Sequence, residues 1–362
     1  MRGQSADRVP LVLPGCQVAA EADLARIDDP LRRRIAERAW RHMHFDVGVN
    51  SCVNRYLVTP PQRIRSTVEK LPDGRRRTHE AIDTPKGELT SLVEWNPLSP
   101  QTSWTLKYPC ETYDDIEAIA SVPWELPRGL EPPKLDALPA DFAERGIVRT
   151  GVSSPFVCVG GMMRYERFLE LCATDLPLIE ELTEVCRQRI MDVLEVLFSR
   201  PGIEYVWMGG SEWVTPPMAA PRVYDTLVQK QERDIIDYVH GHSDVVVHIH
   251  CHGRIRDALP KTIARGADYT EPCEPPPDGD ITMSEAKALS AGRITLGGNI
   301  EARILCNESE DAVERAVRAA FEGGRERFVL APTEGPSPRL AERELRNYMR
   351  LIDVWEELSV IS

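Results

Sequence analysis

The feature that most restricts the fold is a regular alternation of strand-like and helix-like segments from about residue 150 onward. Six β-rich runs are each followed by a stretch with helical periodicity. The last two helices have N-terminal signals: Ser309 precedes Glu310 and Asp311, and Ser337 precedes Pro338. Strands that alternate with helices pair in parallel, because each helical crossover returns the chain to the same edge of the sheet. The pattern therefore predicts an α/β protein with a parallel sheet.

Earlier segments bring the predicted strand count close to eight. Apolar runs at about 10–14 and 45–58 precede the six repeated units. Eight such units close into a (β/α)8 TIM barrel. An open doubly wound sheet is the alternative, although no GxGxxG motif follows a predicted strand.

Residues 60–110 differ from the rest of the chain in their pattern of polar and apolar residues. Short polar and apolar pieces alternate there around turn signals at 72–74 and 85–87, which predicts an antiparallel hairpin insertion. No linker or repeat marks a domain boundary. We therefore predict one barrel domain over residues 1–362 with this insertion in its N-terminal third.

Charge and cysteine content restrict the partners and the compartment. The chain of 362 residues has a formal net charge of −13, which disfavours nucleic acid and anionic membranes as partners. Its nine cysteines are scattered without a CxxC pair, as is typical of reduced cytosolic thiols. No stretch approaches the roughly 18 apolar residues of a membrane span. These properties predict a cytoplasmic protein; whether it forms a homodimer is left open.

The segment VVVHIHCHG, residues 245–253, places three histidines at i, i+2 spacing. Side chains alternate along a strand, so His248, His250 and His252 share one face. In a barrel we expect that face to point inward, with His252 nearest the mouth. Two imidazoles on one face can bind one metal ion. The alternative is a set of hydrogen-bonded core histidines, and periodicity alone does not decide between the two.

Acidic and polar residues follow four other predicted strands. Because the carboxyl ends of parallel strands meet at one mouth, these residues are candidates for a metal or acid–base site, or are solvated rim charges. They are Glu212 after YVWMGG, Glu271 and Glu274 in EPCEPPPDGD, Asn299 and Glu301 after LGG, and Glu334 after FVLAPT. Glu274, between Cys273 and Pro275, is the better ligand candidate of its pair.

Several collinear segments resemble the uroporphyrinogen decarboxylase superfamily, including its branch of zinc-dependent, corrinoid-linked methyltransferases. They are HCHG, ARGAD, EPPPDGD, LGGNIE, LAPTEGP and NYMRLID. The resemblance covers most of the chain and implies a TIM barrel. The arginine-rich QAGRY-type motif of the decarboxylases themselves is replaced by VPLVLPGCQVAAEADL, which disfavours porphyrinogen decarboxylation.

The resemblance also implies a set of metal ligands. In the methyltransferase branch an HxC pair and a later cysteine usually hold the metal, sometimes with a glutamate. Here the pair reads His250-Cys251-His252, Thr333-Glu334 replaces the later cysteine, and Glu274 falls where that glutamate is expected. His250, His252 and Glu274 would form a zinc site of nitrogen and oxygen donors. The loss of thiolates disfavours methyl transfer to a thiol.

The first functional hypothesis is a zinc-dependent methyltransferase. It would move a methyl group from a small ether, amine or methoxy-aromatic compound to a corrinoid on a partner protein, since this chain has no Asp-x-His-x-x-Gly motif. Glu212 or Glu334 would protonate the leaving group. Asn299 is the third candidate catalytic residue.

Two alternatives remain open. The first is a metal-independent decarboxylase or lyase of a small organic acid, with Asn299, Glu301 and the histidines as acid–base groups. Arg164 and Arg303 would then anchor the substrate carboxylate, or would be ordinary surface and ion-pairing arginines. The second is a member that binds a ligand without turnover. The hypotheses differ in the metal content that they require.

Overall fold

Eleven strands form two separate sheets in the computed structural model, which describes residues 6–42, 45–100, 102–135, 138, 142, 146–242 and 244–361. Their bounds are β1 Phe45–Val49, β2 Ile64–Lys70, β3 Arg76–Thr84, β4 Gly87–Trp95, β5 Ser103–Lys107, β6 Gly146–Ser153, β7 Tyr205–Gly209, β8 Val246–His250, β9 Tyr269–Glu271, β10 Thr295–Ile300 and β11 Phe328–Pro332. The larger sheet has the order β1-β6-β7-β8-β9-β10-β11, and every neighbouring pair is parallel. The predicted α/β class and parallel sheet are confirmed.

Helices connect the strands of this sheet and cover its outer face. The α-helices are Pro30–Ala39, Tyr113–Ala120, Pro155–Gly160, Tyr165–Thr174, Leu176–Leu197, Pro221–Tyr224, Lys230–His240, Ala258–Ala264, Met283–Ser290, Ala302–Asn307, Glu310–Phe321 and Glu342–Leu358. A π-helical turn, Asp225–Gln229, joins two of them, and short 3₁₀ helices cover Glu21–Arg26, Pro61–Arg63 and Ser211–Val214. None of the helices in the described ranges has the length and apolar composition needed to cross a bilayer.

The two predicted helix starts have different outcomes. Ser309 caps its helix as predicted, and its Oγ accepts a hydrogen bond from the N–H of Ala312 at 3.3 Å. The start at Ser337-Pro338 is wrong, because the last helix begins at Glu342. The N–H of Ser337 instead donates to Oε1 of Glu344 at 2.8 Å, so the chain before the helix is held by a side chain of its first turn.

The predicted closed barrel is observed in part. Asp46 of β1 and Ala331 of β11 line the same cavity, so the sheet curls until its first and last strands face each other. Next to β11, where an eighth strand would lie, the N–H of Val12 donates to the carbonyl of Leu330 at 2.9 Å. Leu11 forms a single parallel bridge there. Within the described ranges, no hydrogen-bonded pair links this segment to β1, so closure by eight strands is not observed.

The predicted hairpin insertion is a four-stranded antiparallel sheet. Its order is β2-β3-β4-β5, with Ile64 opposite Ile82 and Glu80 opposite Ser91. The first predicted turn is closed by a 2.9 Å hydrogen bond from the N–H of Leu71 to the carbonyl of Arg75. The hydroxyl of Tyr56 lies 2.8 Å from Oγ of Ser91 and connects this sheet to the segment that follows β1.

Candidate active site

Strand β8 separates apolar from polar side chains in the way that the histidine spacing predicts. Val247 and Ile249 are fully buried in the core between sheet and helices. His248 and His250 point to the other side and line a cavity of about 290 Å³ enclosed by the curled sheet. The alternation is thus observed, and the imidazoles face the interior.

Glu271, the last residue of β9, is the common partner of these two histidines. Parallel pairing aligns it with His250. Its Oε1 lies 2.6 Å from Nδ1 of His250 and 3.0 Å from Nε2 of His248. Burial by itself raises the pKa of Glu271, but its contacts with the two imidazoles outweigh burial and hold the pKa well below its usual range. Glu271 is therefore ionised at neutral pH.

Aromatic rings surround the inner histidine. The hydroxyl of Tyr205 contacts Nδ1 of His248, and the ring of Tyr269 packs against the imidazole at 4.5 Å between centroids. Burial lowers the pKa of His248 in spite of its contact with Glu271, so this imidazole is neutral at neutral pH. Trp207 packs beside His250 with 5.4 Å between ring centroids. Tyr205 and Tyr269 thus contact His248, and Trp207 contacts His250.

His252 lies beyond the end of β8 and pairs with Glu274. Its Nδ1 is 3.0 Å from Oε1 of Glu274, whose Oε2 accepts a hydrogen bond from the N–H of Gly253 at 2.5 Å. Burial lowers the pKa of His252, but Glu274, Glu271 and Glu212 together outweigh burial and raise it. The His252 and His250 rings meet edge to face with 4.6 Å between centroids.

Glu212 brings a third carboxyl group to this mouth. It lies in the 3₁₀ turn Ser211–Val214 directly after β7. Its Oε2 is buried without a hydrogen-bond partner in the described structure. Burial raises the pKa of Glu212, although the nearby imidazoles of His250 and His252 act in the opposite direction. The group combines burial, an unsatisfied oxygen and a raised pKa.

Glu301 follows β10 and is almost completely buried. Nη2 of Arg303 donates to its Oε2 at 2.5 Å, and Nε of Arg303 donates to Asp278 at 2.7 Å. Burial and the hydrogen bond with Asp278 raise the pKa of Glu301 to about 7. Arg303 is thus occupied by two carboxyl groups, and Arg164 is exposed at the start of the helix Tyr165–Thr174. Neither arginine lines the cavity.

The remaining predicted catalytic residues are Glu334 and Asn299. Glu334 is exposed and lines the cavity beside Thr333. Asn299 is 8% exposed in β10 and aligns with Ala331 of β11. The structure therefore places Glu334 on the same cavity as His250.

The glycines before Asn299 make room for protein groups. A Cβ on Gly297 would lie 2.0 Å from the hydroxyl oxygen of Tyr269 and 2.7 Å from Cβ of Glu271. Gly298 has a φ of +115°, a conformation that side-chain-bearing residues rarely adopt. Gly297 thus lets the backbone of β10 pass close to the side chains of Tyr269 and Glu271.

In the structure the three predicted metal ligands do not all contact one another. His252 and Glu274 form one pair, while His250 is bound to Glu271. Among the described residues, the one group of three side chains whose ligand atoms all lie within 4.8 Å of one another is His248, His250 and Glu271.

Sequence reasoning did not single out Tyr205, Trp207 or Arg149, which all line the cavity. The i, i+2 spacing of Tyr205 and Trp207 on β7 is the signal that could have identified two of them. Arg149 carries no comparable signal, and it is paired with Asp46 on the neighbouring strand β1.

Comparison with known proteins gives a likeness of fold. No protein-family model and no curated protein matches the sequence. A methyltransferase from Methanosarcina mazei matches with a TM-score of 0.56 and 13% identity, over 98% of this chain and 96% of that chain. A B12-independent methionine synthase from Shewanella sp. W3-18-1, in complex with selenomethionine, matches with a TM-score of 0.37 and 10% identity, over 82% and 76%. The first likeness shows a shared fold, and the second is too low to carry an argument.

Proposed function

We propose that this protein is a zinc-dependent methyltransferase that moves a methyl group from a small methylated substrate to a corrinoid carried by a partner protein. The substrate class is an ether, an amine or a methoxy-aromatic compound. Three lines of support are the fold shared with the Methanosarcina mazei methyltransferase, the sequence resemblance to the corrinoid-linked branch, and the donor groups around the end of β8.

One observation carries the metal part of the proposal. His250 and His252 each contact a carboxylate through Nδ1, at 2.6 Å and 3.0 Å. At His250 the carboxylate of Glu271 orients the ring and makes the other nitrogen, Nε2, a better ligand, as in carboxylate–histidine–zinc sites. The contact of His252 with Glu274 brings two of the proposed ligands together. Glu212, whose Oε2 is buried without a hydrogen-bond partner in the described structure, lies near the same two rings. Imidazole and carboxylate donors with room for a further ligand suit catalytic zinc.

In the proposed site, called the mouth position below, His250, His252 and Glu274 hold the ion. Zinc bound there supplies a Lewis acid that polarises the heteroatom from which the methyl group departs. Glu212, whose pKa is raised by burial, is the first candidate to donate a proton to that heteroatom. Glu334, on the rim of the cavity, and Asn299 are the further catalytic candidates.

The cavity has the size and lining for a small substrate. Its volume is about 290 Å³, and Trp207, Tyr205 and Tyr269 supply aromatic walls. Its arginine, Arg149, is paired with Asp46. A substrate carboxylate would have to compete with Asp46 for this cation, so the lining favours a methylated substrate without an acid group over the substrate of a decarboxylase.

The test combines metal content with methyl transfer to free cob(I)alamin, which replaces the protein-bound corrinoid. The protein without a histidine tag should contain zinc and form methylcobalamin from a member of a panel of methyl ethers, amines and methoxy-aromatic compounds. His252→Ala and Glu274→Ala should lose zinc from the mouth position and at least ~10-fold of the transfer rate. His79→Ala, which changes an exposed histidine on the antiparallel sheet, is the matched control and should behave as the parent.

Two results would contradict the proposal at different points. A parent protein that takes up no zinc, even after incubation with the ion, would exclude the metal site, and decarboxylation of small acids would become the next assay. A parent that binds zinc but methylates no cobalamin with the whole panel would exclude the methyl transfer. Loss of zinc from His79→Ala would show that the measured zinc is bound on the surface.

A further inference from the structure

Three side chains in the interior form a group that shares only His250 with the predicted ligands. His248, His250 and Glu271 come from the neighbouring strands β8 and β9, and each offers a ligand atom within 4.8 Å of the other two. We infer that this group is a second metal-binding position, the inner position, on the cavity side of the mouth position. It binds a divalent first-row transition metal through two imidazole nitrogens and one carboxylate.

The unsatisfied nitrogen of His248 is the first argument for the inner position. His248 is 4% exposed. Its Nε2 lies 3.0 Å from Oε1 of Glu271, yet it makes no hydrogen bond of acceptable geometry in the described structure. A buried polar atom that faces a carboxylate without hydrogen-bonding it is costly, and a cation shared by both groups removes the cost.

The surroundings of the histidines are the second argument. The hydroxyl of Tyr205 contacts Nδ1 of His248, so the other nitrogen, Nε2, is the one left to bind a metal. Such a contact on the far side of a ligand is characteristic of metal sites, where it fixes the ring orientation. Gly297 leaves room for Glu271 in this position. A Cβ added to this glycine would overlap Tyr269 and Glu271.

Access is the third argument. His248, His250 and Glu271 all line the cavity of about 290 Å³. A metal held by three protein donors on that wall therefore has cavity space in front of it for water or a small ligand. Two histidines and one carboxylate with open positions form a donor set that binds zinc or ferrous iron.

The two positions use different nitrogens of His250. Nδ1 faces Glu271 and belongs to the inner position. Nε2, on the opposite side of the ring, remains for the mouth position with His252 and Glu274. Filling both positions releases the ring proton of His250 to solvent and leaves an imidazolate between the two metals. The inner position therefore does not depend on the proposed function, and each of them can fail alone.

The test is a titration of the untagged full chain, stripped by a chelator, with Zn²⁺ and in parallel with Co²⁺, whose visible absorption reports the ligands. The parent should bind two equivalents. His248→Ala and Glu271→Gln should each lose the inner equivalent, with affinity reduced at least ~10-fold. Glu271→Gln keeps the size of the side chain and an acceptor oxygen, so it remains informative if His248→Ala does not fold. His252→Ala should lose only the mouth equivalent.

The pattern across the variants decides between the two positions. If His248→Ala and Glu271→Gln bind metal as the parent does while His252→Ala loses it, the inner position is overturned and the mouth position stands. If the two inner variants lose the metal while His252→Ala keeps it, the inner position stands and the mouth position fails. A parent that binds neither ion overturns both positions.

Discussion

Glu301 is the residue for which the structure makes the clearest prediction about pH. Burial and Asp278 raise its pKa from 4.5 to about 7 in the folded protein. Between these two values the unfolded chain gives up the proton while the folded protein keeps it, so rising pH takes stability away from the parent. Glu301→Gln mimics the protonated acid and should avoid this loss. Relative to the parent, we expect it to gain about 1–3 kcal/mol between pH 4.5 and pH 8.

Urea unfolding of both proteins at pH 4.5, 6 and 8 measures that difference. Asp278, whose pKa is lowered chiefly by its hydrogen bond with Glu301, stays ionised over this range, and the other titrating groups are common to the two proteins. Glu322→Gln removes one exposed negative charge and is the control. A difference between Glu301→Gln and the parent that stays constant over this range would show that Glu301 does not hold its proton in the folded state.

The contrast between the histidines and Glu271 shows which residue roles the sequence can predict. The shared face of His248 and His250 follows from the two-residue period of a strand, which is a local property. That Glu271 lies against both depends on the alignment of His250 with Glu271 across two strands, a register that the sequence of neither strand specifies. The pairing of His252 with Glu274 could be expected more generally, because both residues follow the ends of adjacent parallel strands.

At the scale of an element, β10 needs a glycine where it passes β9. A Cβ on Gly297 would lie 2.0 Å from the hydroxyl oxygen of Tyr269. Gly297→Ala should therefore displace Tyr269 and Glu271 and lower the free energy of unfolding by about 1–3 kcal/mol. Chemical denaturation measures the loss. Gly48→Ala, in β1 of the same sheet, is the matched control, because nothing lies within 4 Å of its added Cβ. Equal stabilities of the two variants would contradict the predicted overlap.

The starts of the last two helices also show that local sequence predicts some structural features and not others. Ser309 was predictable as a cap because its hydroxyl bonds to an N–H three residues later in the same segment. Ser337 has the same local signals, but its N–H and hydroxyl are bound by Glu344, so the helix starts four residues later than predicted, at Glu342. When the carboxylate of another residue takes up the hydrogen bonds of a serine, the residues next to that serine in the sequence do not determine whether it caps a helix.

For the whole molecule, the sequence predicts the parallel sheet well and its closure less well. Strand-and-helix alternation specifies parallel neighbours, and six of the seven parallel strands, β6–β11, follow from that pattern. The eighth place depends on the apolar run near residue 11, which forms a single bridge to β11. Whether such a short run joins a sheet depends on the strand that it packs against, and here that strand, β11, is far away in the sequence.

The N-terminal segment should therefore stabilise the sheet as a whole. Leu11 is fully buried and bridges to Leu330, and the carbonyl of Val9 accepts a hydrogen bond from the indole of Trp355 at 2.9 Å. The segment thus joins the last strand to the last helix. Leu11→Ala should lower the free energy of unfolding by about 2–5 kcal/mol. Hydrogen exchange should accelerate in β11 and in Glu342–Leu358 more than in the antiparallel sheet.

Urea unfolding and hydrogen exchange followed by mass spectrometry provide both measurements. Val68→Ala is the control, because Val68 is 59% exposed on the antiparallel sheet and should change stability by less than about 0.5 kcal/mol. A loss below about 1 kcal/mol for Leu11→Ala, or exchange that accelerates equally in both sheets, would show that the N-terminal segment does not hold the end of the parallel sheet. The parallel sheet would then be stabilised by β1, β6–β11 and their helices alone.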